Sequence, residues 1–395
     1  MNRNQLQLLI ICQLGTLIIA GVVTTMGLIV PKAAEFFHVG VTEMASQFTW
    51  FTGAGLIGQF ISFFIFDYFS IKRVMLLSHL VCGLSLVAVH LTVNFELLAI
   101  PFFCFGVAIS TALCGSSTLI AQVWDGRVRH AAIVGQDAMF NGGGVIFAAL
   151  TSWFLAHSLP FSSTYLVTFG VIALVIVLML ITDFSMATGT QQESESNLHT
   201  EWNSRMVLIG VSLLLYMMAK ISVFIWAPQY ITEKFSVDPS VGGQFMSNVF
   251  TTALIGSIAG TWLVSRVDIK YLVYGFISVS LVATSLLTLI DSVEAMLMLA
   301  FVYGISVSAT FNAYVAFSLS QVGSPTHRNI AYMLLMSALG SSCAPLFSSR
   351  VVEKTGSIEA ALLACAATLA VVALILVAVE VLSQRHAKTG GKVEQ

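Results

Sequence analysis

The sequence predicts an all-α membrane protein of twelve transmembrane helices in two pseudo-symmetric six-helix bundles, both termini cytoplasmic. Three observations carry this. Hydrophobic residues fill 57% of the 395 positions and charged residues only 9%, against about a quarter charged in soluble domains. Charge-free stretches long enough to cross a bilayer recur along the whole chain. A weak repeat at a spacing of 198 residues relates the two halves. The net charge of −2 and the lack of a basic run give no footprint for nucleic acid.

A helix needs about 20 mostly apolar residues to cross the hydrocarbon core. The first window, 4–31, resembles a signal peptide but is long enough to span, and is expected to be retained as span 1. Spans 2, 3 and 4 follow at 44–66, 74–95 and 97–124. The charge-free window 138–182 is too long for one helix and breaks at His157-Ser-Leu-Pro160-Phe-Ser-Ser. Span 5 therefore starts near Ala131 and span 6 occupies about 164–182. Span 7, 206–232, holds one charge, Lys220, and spans 8 to 12 lie at 239–265, 271–290, 295–327, 329–349 and 360–379.

The longest polar segment, 187–205, separates spans 6 and 7. The predicted organisation is a bundle over 1–186, a cytoplasmic loop over 187–204, a second bundle over 205–383 and a cytoplasmic tail over 384–395. Lysine and arginine near span ends set orientation. Cytoplasmic termini put twelve of them inside, among them Arg3, Lys72, Arg73, Arg129, Arg205 and Arg328, and only Lys32, Lys234, Arg350 and Lys354 outside. The six cysteines all sit in apolar stretches without CxxC or Cys/His spacing, so neither a disulfide framework nor a metal site is expected.

The repeat pairs Leu56-Ile57-Gly58 with Leu254-Ile255-Gly256, Ile71-Lys72 with Ile269-Lys270, and Gly106 with Gly304. One residue out of step, Gln122-Val123 answers Gln321-Val322 and Arg129 answers Arg328. Repeats of this kind accompany transporters whose halves rock against each other. Spans 1, 2, 5, 7, 8 and 10 carry amides or charges, with Gln13, Gln47, Gln59, Asn141, Asn248 and Asn312 the amides. Such groups are costly in hydrocarbon and face a bundle interior or a wet cavity, as glue between helices or as solute contacts.

Asp137 and Lys220 are charges inside spans. Each costs about 2.5–3.5 kcal/mol at the bilayer centre on insertion scales, so each needs a protein or water environment. Asp137, Asn141, Gly144 and Ala148 share one helical face, next to Gln136, and Tyr216, Lys220 and Val223 share another. Asp137 suits a proton site, a ligand for hydroxyls or an amine, or a structural bond. Lys220 suits attraction of an anionic or hydroxyl-rich solute, or a salt bridge. Counted from the cytoplasmic side, the two lie about 12 Å and about 22 Å deep, so a direct pair is open rather than required. Trp50 and Trp226 suit stacking on a solute or plain packing. His79 and His90 lack an acidic neighbour at helical spacing and read as structural or interfacial.

Twelve spans, a polar central loop and a 6+6 repeat resemble the major facilitator superfamily. Its signature between spans 2 and 3, Gly-x-x-x-Asp-Arg-x-Gly-Arg-Lys, is met by Phe63-Ile-Phe-Phe-Asp67-Tyr-Phe-Ser70-Ile71-Lys72, which keeps the acid and a terminal base and loses both glycines. The resemblance implies a gating loop at Asp67, Lys72 and Arg73, with Asp67 and Lys72 the expected clamp. Within the superfamily the chain is most similar to the TsgA group, near the fucose-permease type. The similarity rests on Ala34-Glu35-Phe36-Phe37, Phe48-Thr49-Trp50-Phe51, Gly135-Gln136-Asp137, Phe140-Asn141-Gly142-Gly143-Gly144, and Phe224-Ile225-Trp226-Ala227-Pro228-Gln229-Tyr230. Fucose-type permeases carry acids in spans 1 and 4 for proton coupling, and this chain has none there.

What the resemblance and the buried charges imply is a multi-pass, monomeric transporter of the cell inner (cytoplasmic) membrane. It would move a small polar solute, sugar-like or an organic anion, with protons as the coupling ion and no cofactor. The expected solute cavity takes in Gln136, Asn141, Trp50, Gln47, Tyr216, Asn248 and Asn312. A drug-efflux antiporter of the same fold is the rival, for which Lys220 is awkward, and a non-transporting sensor would carry an extra soluble domain. No HExxH, supported GxSxG or His/Asp cluster suggests an enzyme.

Overall fold

The computed structural model describes residues 2–185 and 200–390. Most of the expected loop (187–199) and the end of the tail (391–395) lie outside the described residues. All regular structure among the described residues is helical. The first part of the chain forms α1 (Arg3–Phe37), α2 (Val41–Ser46), α3 (Phe48–Ser62), α4 (Ile65–Tyr68), α5 (Ile71–Leu91), α6 (Ala99–Val123), α7 (Gly126–Ala156) and α8 (Ser163–Ile181). The second forms α9 (Ser204–Phe235), α10 (Pro239–Val264), α11 (Ile269–Leu289), α12 (Val293–Val307), α13 (Thr310–Leu319), α14 (His327–Thr355) and α15 (Ile358–Gly390).

Among the described residues, eleven helical segments are long and apolar enough to cross a membrane, with α12 and α13 counted as one. The twelfth expected span is present in pieces. Its core, α3, has 15 residues, about 22 Å of helix at 1.5 Å per residue, short of the roughly 30 Å hydrocarbon layer. The chain bends on either side of it, at Gln47 and at Phe63-Phe64, which a hydropathy window reads straight through.

Local chemistry fixes the helix ends. Asn2 and Gln5 form a capping box at the start of α1, and His38 closes it in the left-handed region (φ 56°). Asn203 and Asp238 cap α9 and α10 through side-chain bonds to the backbone N–H groups of Arg205 and Ser240. The bonds from Ser240 hold the Asp238 carboxyl below the usual carboxylate range.

The described chain forms two compact units, 1–200 with 325–335, and 201–324 with 336–395. The first residues of α14 thus belong with the first unit, although they fall within the second expected bundle.

In unit 1, α3 crosses α6 through Gly58 and Gly106. A Cβ on Gly58 would strike the Val107 carbonyl and Ser110, and one on Gly106 would strike the Phe51 carbonyl and Ala54. The α1–α7 seam is similarly close, with Gly143 against Leu17 and Ala20 and Gly21 against Phe147. A buried hydroxyl chain, Thr25–Thr151–Thr164 at 3.2 and 3.0 Å, ties α1, α7 and α8.

In unit 2, α10 crosses α12 by the same device. Gly256 meets Ile305 and Ser308, and Gly304 meets the Val249 carbonyl and Thr252. Val249, Thr252, Ile305 and Ser308 stand 198 residues after Phe51, Ala54, Val107 and Ser110. The sequence repeat is therefore a repeated backbone contact in which a side chain on either glycine would enter its partner's main chain.

Candidate functional site

Each unit holds one of the two charges expected inside spans, Asp137 buried in unit 1 and Lys220 half-buried in unit 2. In unit 1, α7 runs uninterrupted from Gly126 and carries Gln136 and Asp137 into the bundle. Gln136 is fully buried, and its Oε1 accepts from Ser117 Oγ of α6 at 3.4 Å. Asp137 is 8% exposed, which excludes a solvated surface carboxylate. One turn earlier, Gln13 Nε2 of α1 donates to the Ala132 carbonyl at 2.8 Å, pinning α1 to α7 just before the charge. Asn141 is half-buried one turn further on.

In unit 2, α12 ends at Val307, and two non-helical residues, Ser308 and Ala309, precede α13. The ladder of main-chain bonds tightens at the break, where Ser308 N donates to the Ile305 carbonyl at 3.3 Å. Lys220 of α9 points its Nζ at the Val307 carbonyl, 3.4 Å away, and lies 5.7 Å from the Phe224 ring centre. An ammonium suits this place, because a helix C-terminus presents carbonyl oxygens with partial negative charge. Discontinuous helices in membranes occur where their backbone faces protein or a wet cavity. Tyr216, one turn before Lys220, is fully buried and stacks on Tyr314 of α13 at 5.8 Å with a 27° tilt. Phe224 meets Phe250 and Tyr303 edge-on at 5.6 and 6.2 Å.

The other expected residues scatter. Asn312 is buried near the start of α13, five residues after Val307. Asn248 bonds the Leu297 carbonyl at 3.4 Å and so ties α10 to α12. Gln47 is buried at the α2–α3 junction, whereas Trp50 is 51% exposed. The break after Val307, its carbonyl, Phe224 and Tyr314 were not singled out from sequence. The available signal was the run Ser306-Val-Ser308-Ala-Thr310, in which Ser, Val and Thr, weak helix formers, fill four of five positions inside a window otherwise read as one span.

The expected Asp67–Lys72 clamp is replaced by other partners. Asp67 accepts from Arg328 Nη2 at 2.6 Å and from His327 Nε2 at 3.1 Å, all within unit 1. Lys72 instead donates to the Thr182 carbonyl at 2.9 Å and covers the Phe184 ring. Close by, Asp183 is held below the usual carboxylate range by hydrogen bonds from Ser185, with Lys72 adding to the effect. Arg73 is exposed. A lysine five residues from Asp67 is near in sequence, yet α5 carries it toward the end of α8.

The sequence profile of the Major Facilitator Superfamily matches residues 13–328, most of the chain. The chain belongs to that superfamily. It is thus a multi-pass membrane transporter and not an enzyme. As a superfamily member it is similar to the TsgA homologue of Buchnera aphidicola subsp. Acyrthosiphon pisum, 23% identical over 359 residues, covering 90% of this chain and 91% of the relative. Its fold matches that of the E. coli fucose:proton symporter FucP, with a TM-score of 0.76 and 13% identity over 96% of this chain and 99% of that one. It also matches the human organic anion transporter MFSD10, with a TM-score of 0.75 and 12% identity over 95% and 100% of the two chains.

Proposed function

We propose that this protein is a secondary active transporter that moves a small polar solute, sugar-like or an organic anion, across the cytoplasmic membrane by alternating access, coupled to protons. Both termini are cytoplasmic in this reading, as the lysine and arginine bias requires. The observation that carries it is Lys220 at the broken helix. An ammonium lies beside the Val307 carbonyl, with aromatic faces of Phe224, Tyr216 and Tyr314 along the same helices. A cation beside an aromatic ring and a main-chain carbonyl suits the carboxylate or hydroxyls of a small solute and is poorly suited to a lipophilic cation. Support comes from the fold neighbours, one a fucose:proton symporter and one an organic anion transporter.

Asp137 is the second working group, as proton carrier or solute ligand, because a buried carboxylate changes proton affinity with hydration and with nearby charge. Asp67, held by Arg328 and His327, fastens the start of α14 within unit 1, while the rest of α14 belongs to unit 2. We assign that cluster the gating role.

The test is uptake into proteoliposomes of a panel of sugars, carboxylates, amines and nucleosides, with and without an imposed pH gradient. The expected result is accumulation of one class, driven by the gradient and lost in Lys220→Gln and Asp137→Asn. If neither substitution alters movement of any solute that the wild type carries, this assignment of the site is wrong.

A further inference from the structure

We infer that unit 1 holds a second, unassigned proton-binding site, formed by His79 of α5 and Ser116 of α6 over the bare backbone of Gly15 in α1. His79 and Ser116 are both fully buried. The Nδ1 of His79 lies 2.8 Å from the Met75 carbonyl. A carbonyl can only accept, so Nδ1 carries the proton and Nε2 is left as a lone pair. That Nε2 has no hydrogen-bond partner, and neither does Ser116 Oγ. A buried polar atom calls for a partner, and two that converge on one point call for a small polar species between them.

Both atoms converge on Gly15. A Cβ built there would lie 3.4 Å from Ser116 Oγ and 3.8 Å from His79 Nε2. The glycine leaves a gap over which a water molecule donates to Nε2 and bonds Ser116 Oγ, and a proton arriving through it converts His79 to imidazolium. The loss of that proton restores the neutral ring, and Nδ1 keeps its bond to Met75 in both forms.

The surroundings make proton affinity depend on hydration instead of on a fixed counter-ion. The helices packed on α5 are α6 and α8, and neither carries an acidic or basic side chain. The short α4 brings Asp67 and Tyr68 only to the start of α5, two turns before His79. From α1, the titratable neighbour is Cys12, whose Sγ donates to the Ser116 carbonyl. On α6 the titratable side chains are Cys104 and Cys114, on α8 Tyr165, and α5 itself carries Lys72 and Arg73 about two turns before His79, with Cys82 and His90 after it. With no anion to lock the charge in place, wetting or drying of the gap decides whether imidazolium forms, which is the property a coupling site needs. The role in coupling rests on the proposed function above, whereas proton binding itself does not.

The experiment is nitrogen NMR of the full-length protein in lipid nanodiscs, with ring-labelled histidine and no solute. The His79 signals are identified by their loss in His79→Gln, or by their shift in Ser116→Ala should that variant fold poorly. The expected result is a neutral Nδ1–H ring at about pH 8 that moves toward imidazolium by about pH 5. Gly15→Ala, whose methyl fits at ordinary contact distance and fills the gap, is expected to lower the proton affinity at least tenfold with the other histidine signals unmoved. A His79 ring that stays neutral across this range, or one that titrates identically in Gly15→Ala, overturns the proposal. Neither outcome touches the solute assignment at Lys220, which the uptake experiment decides separately.

Discussion

The crossing of α3 on α6 and the crossing of α10 on α12 are one joint built twice, and their difference shows where function entered. In both, two glycines let main chain meet main chain, with every contact residue displaced by 198 positions. Beyond the glycines the two part company. Helix α6 continues without interruption to Val123, whereas its counterpart stops at Val307, bends through Ser308 and Ala309, and restarts as α13. The charge that meets the Val307 carbonyl, Lys220, answers to Val22 at the same spacing, and Asp137 answers to Leu335. The repeat conserves packing. The proposed working groups lie where the repeat fails.

The largest effects should come from attacking what the two joints share. Gly106→Leu and Gly304→Leu each drive a side chain into a partner's carbonyl that cannot move aside. Overpacking costs about 1–3 kcal/mol and sometimes more, so both variants should lose most of their folded, monodisperse population in detergent, by similar amounts. A well-folded Gly106→Leu beside a collapsed Gly304→Leu would mean that the two crossings are not mechanically equivalent.

Next comes the feature that only one joint has. Lys220→Gln should reduce uptake of the transported solute at least tenfold, about 1.4 kcal/mol of lost interaction, while the melting temperature in detergent stays close to wild type. Lys220→Arg should restore part of the uptake. A large fall in melting temperature with normal initial rates would turn Lys220 into a structural strut and restore the symmetry between the joints.

A smaller effect is expected at Asp67, whose counterpart at the repeat spacing is Ser265. Its side chain is 20% exposed and that of Arg328 33%, so water screens the pair. A double-mutant cycle of Asp67→Asn with Arg328→Gln should give a coupling of about 1 kcal/mol, falling as salt rises. A coupling indistinguishable from zero would leave the pair without an energetic role.

These contrasts also show which features could be read from sequence. Spans were legible because hydropathy is a property of each segment alone, and Gly58, Gly106, Gly256 and Gly304 were legible because backbone contact forbids a side chain. Asp137 and Lys220 stood out because a charge in an apolar run is rare. What was not legible depends on partners far along the chain. Arg328 reaches Asp67 across 261 positions, and local spacing offered only Lys72. The bends at Gln47, Phe63 and Ser308 were hidden because kinked and straight helices have the same hydropathy. His79 reads as structural or interfacial from sequence because the residues that give it a proposed role, Gly15 and Ser116, stand on two other helices.

The mildest test concerns Lys72 and Lys270, a pair at the repeat spacing that open α5 and α11. Lys72 reaches the residue that caps the end of α8 and Lys270 reaches α15 ten residues before its end, at positions again 198 apart, but the acceptors differ. Lys72 donates to the main-chain carbonyl of Thr182 at 2.9 Å, a helix C-terminus with partial negative charge. Lys270 meets the Glu380 carboxylate at 3.1 Å, with side chains 31% and 29% exposed, and Tyr274 adds a hydrogen bond at 3.2 Å. Removing Lys270 takes a full positive charge away from a carboxylate, whereas removing Lys72 takes one away from a carbonyl at a helix end. Lys270→Met should therefore cost more, about 0.5–1 kcal/mol against a few tenths for Lys72→Met. Its cost should also shrink as salt rises from low concentration toward molar, because full charges are screened more than a charge and a dipole. Equal costs with equal salt dependence would show that the lysine, and not its acceptor, sets the strength of this tie in both halves.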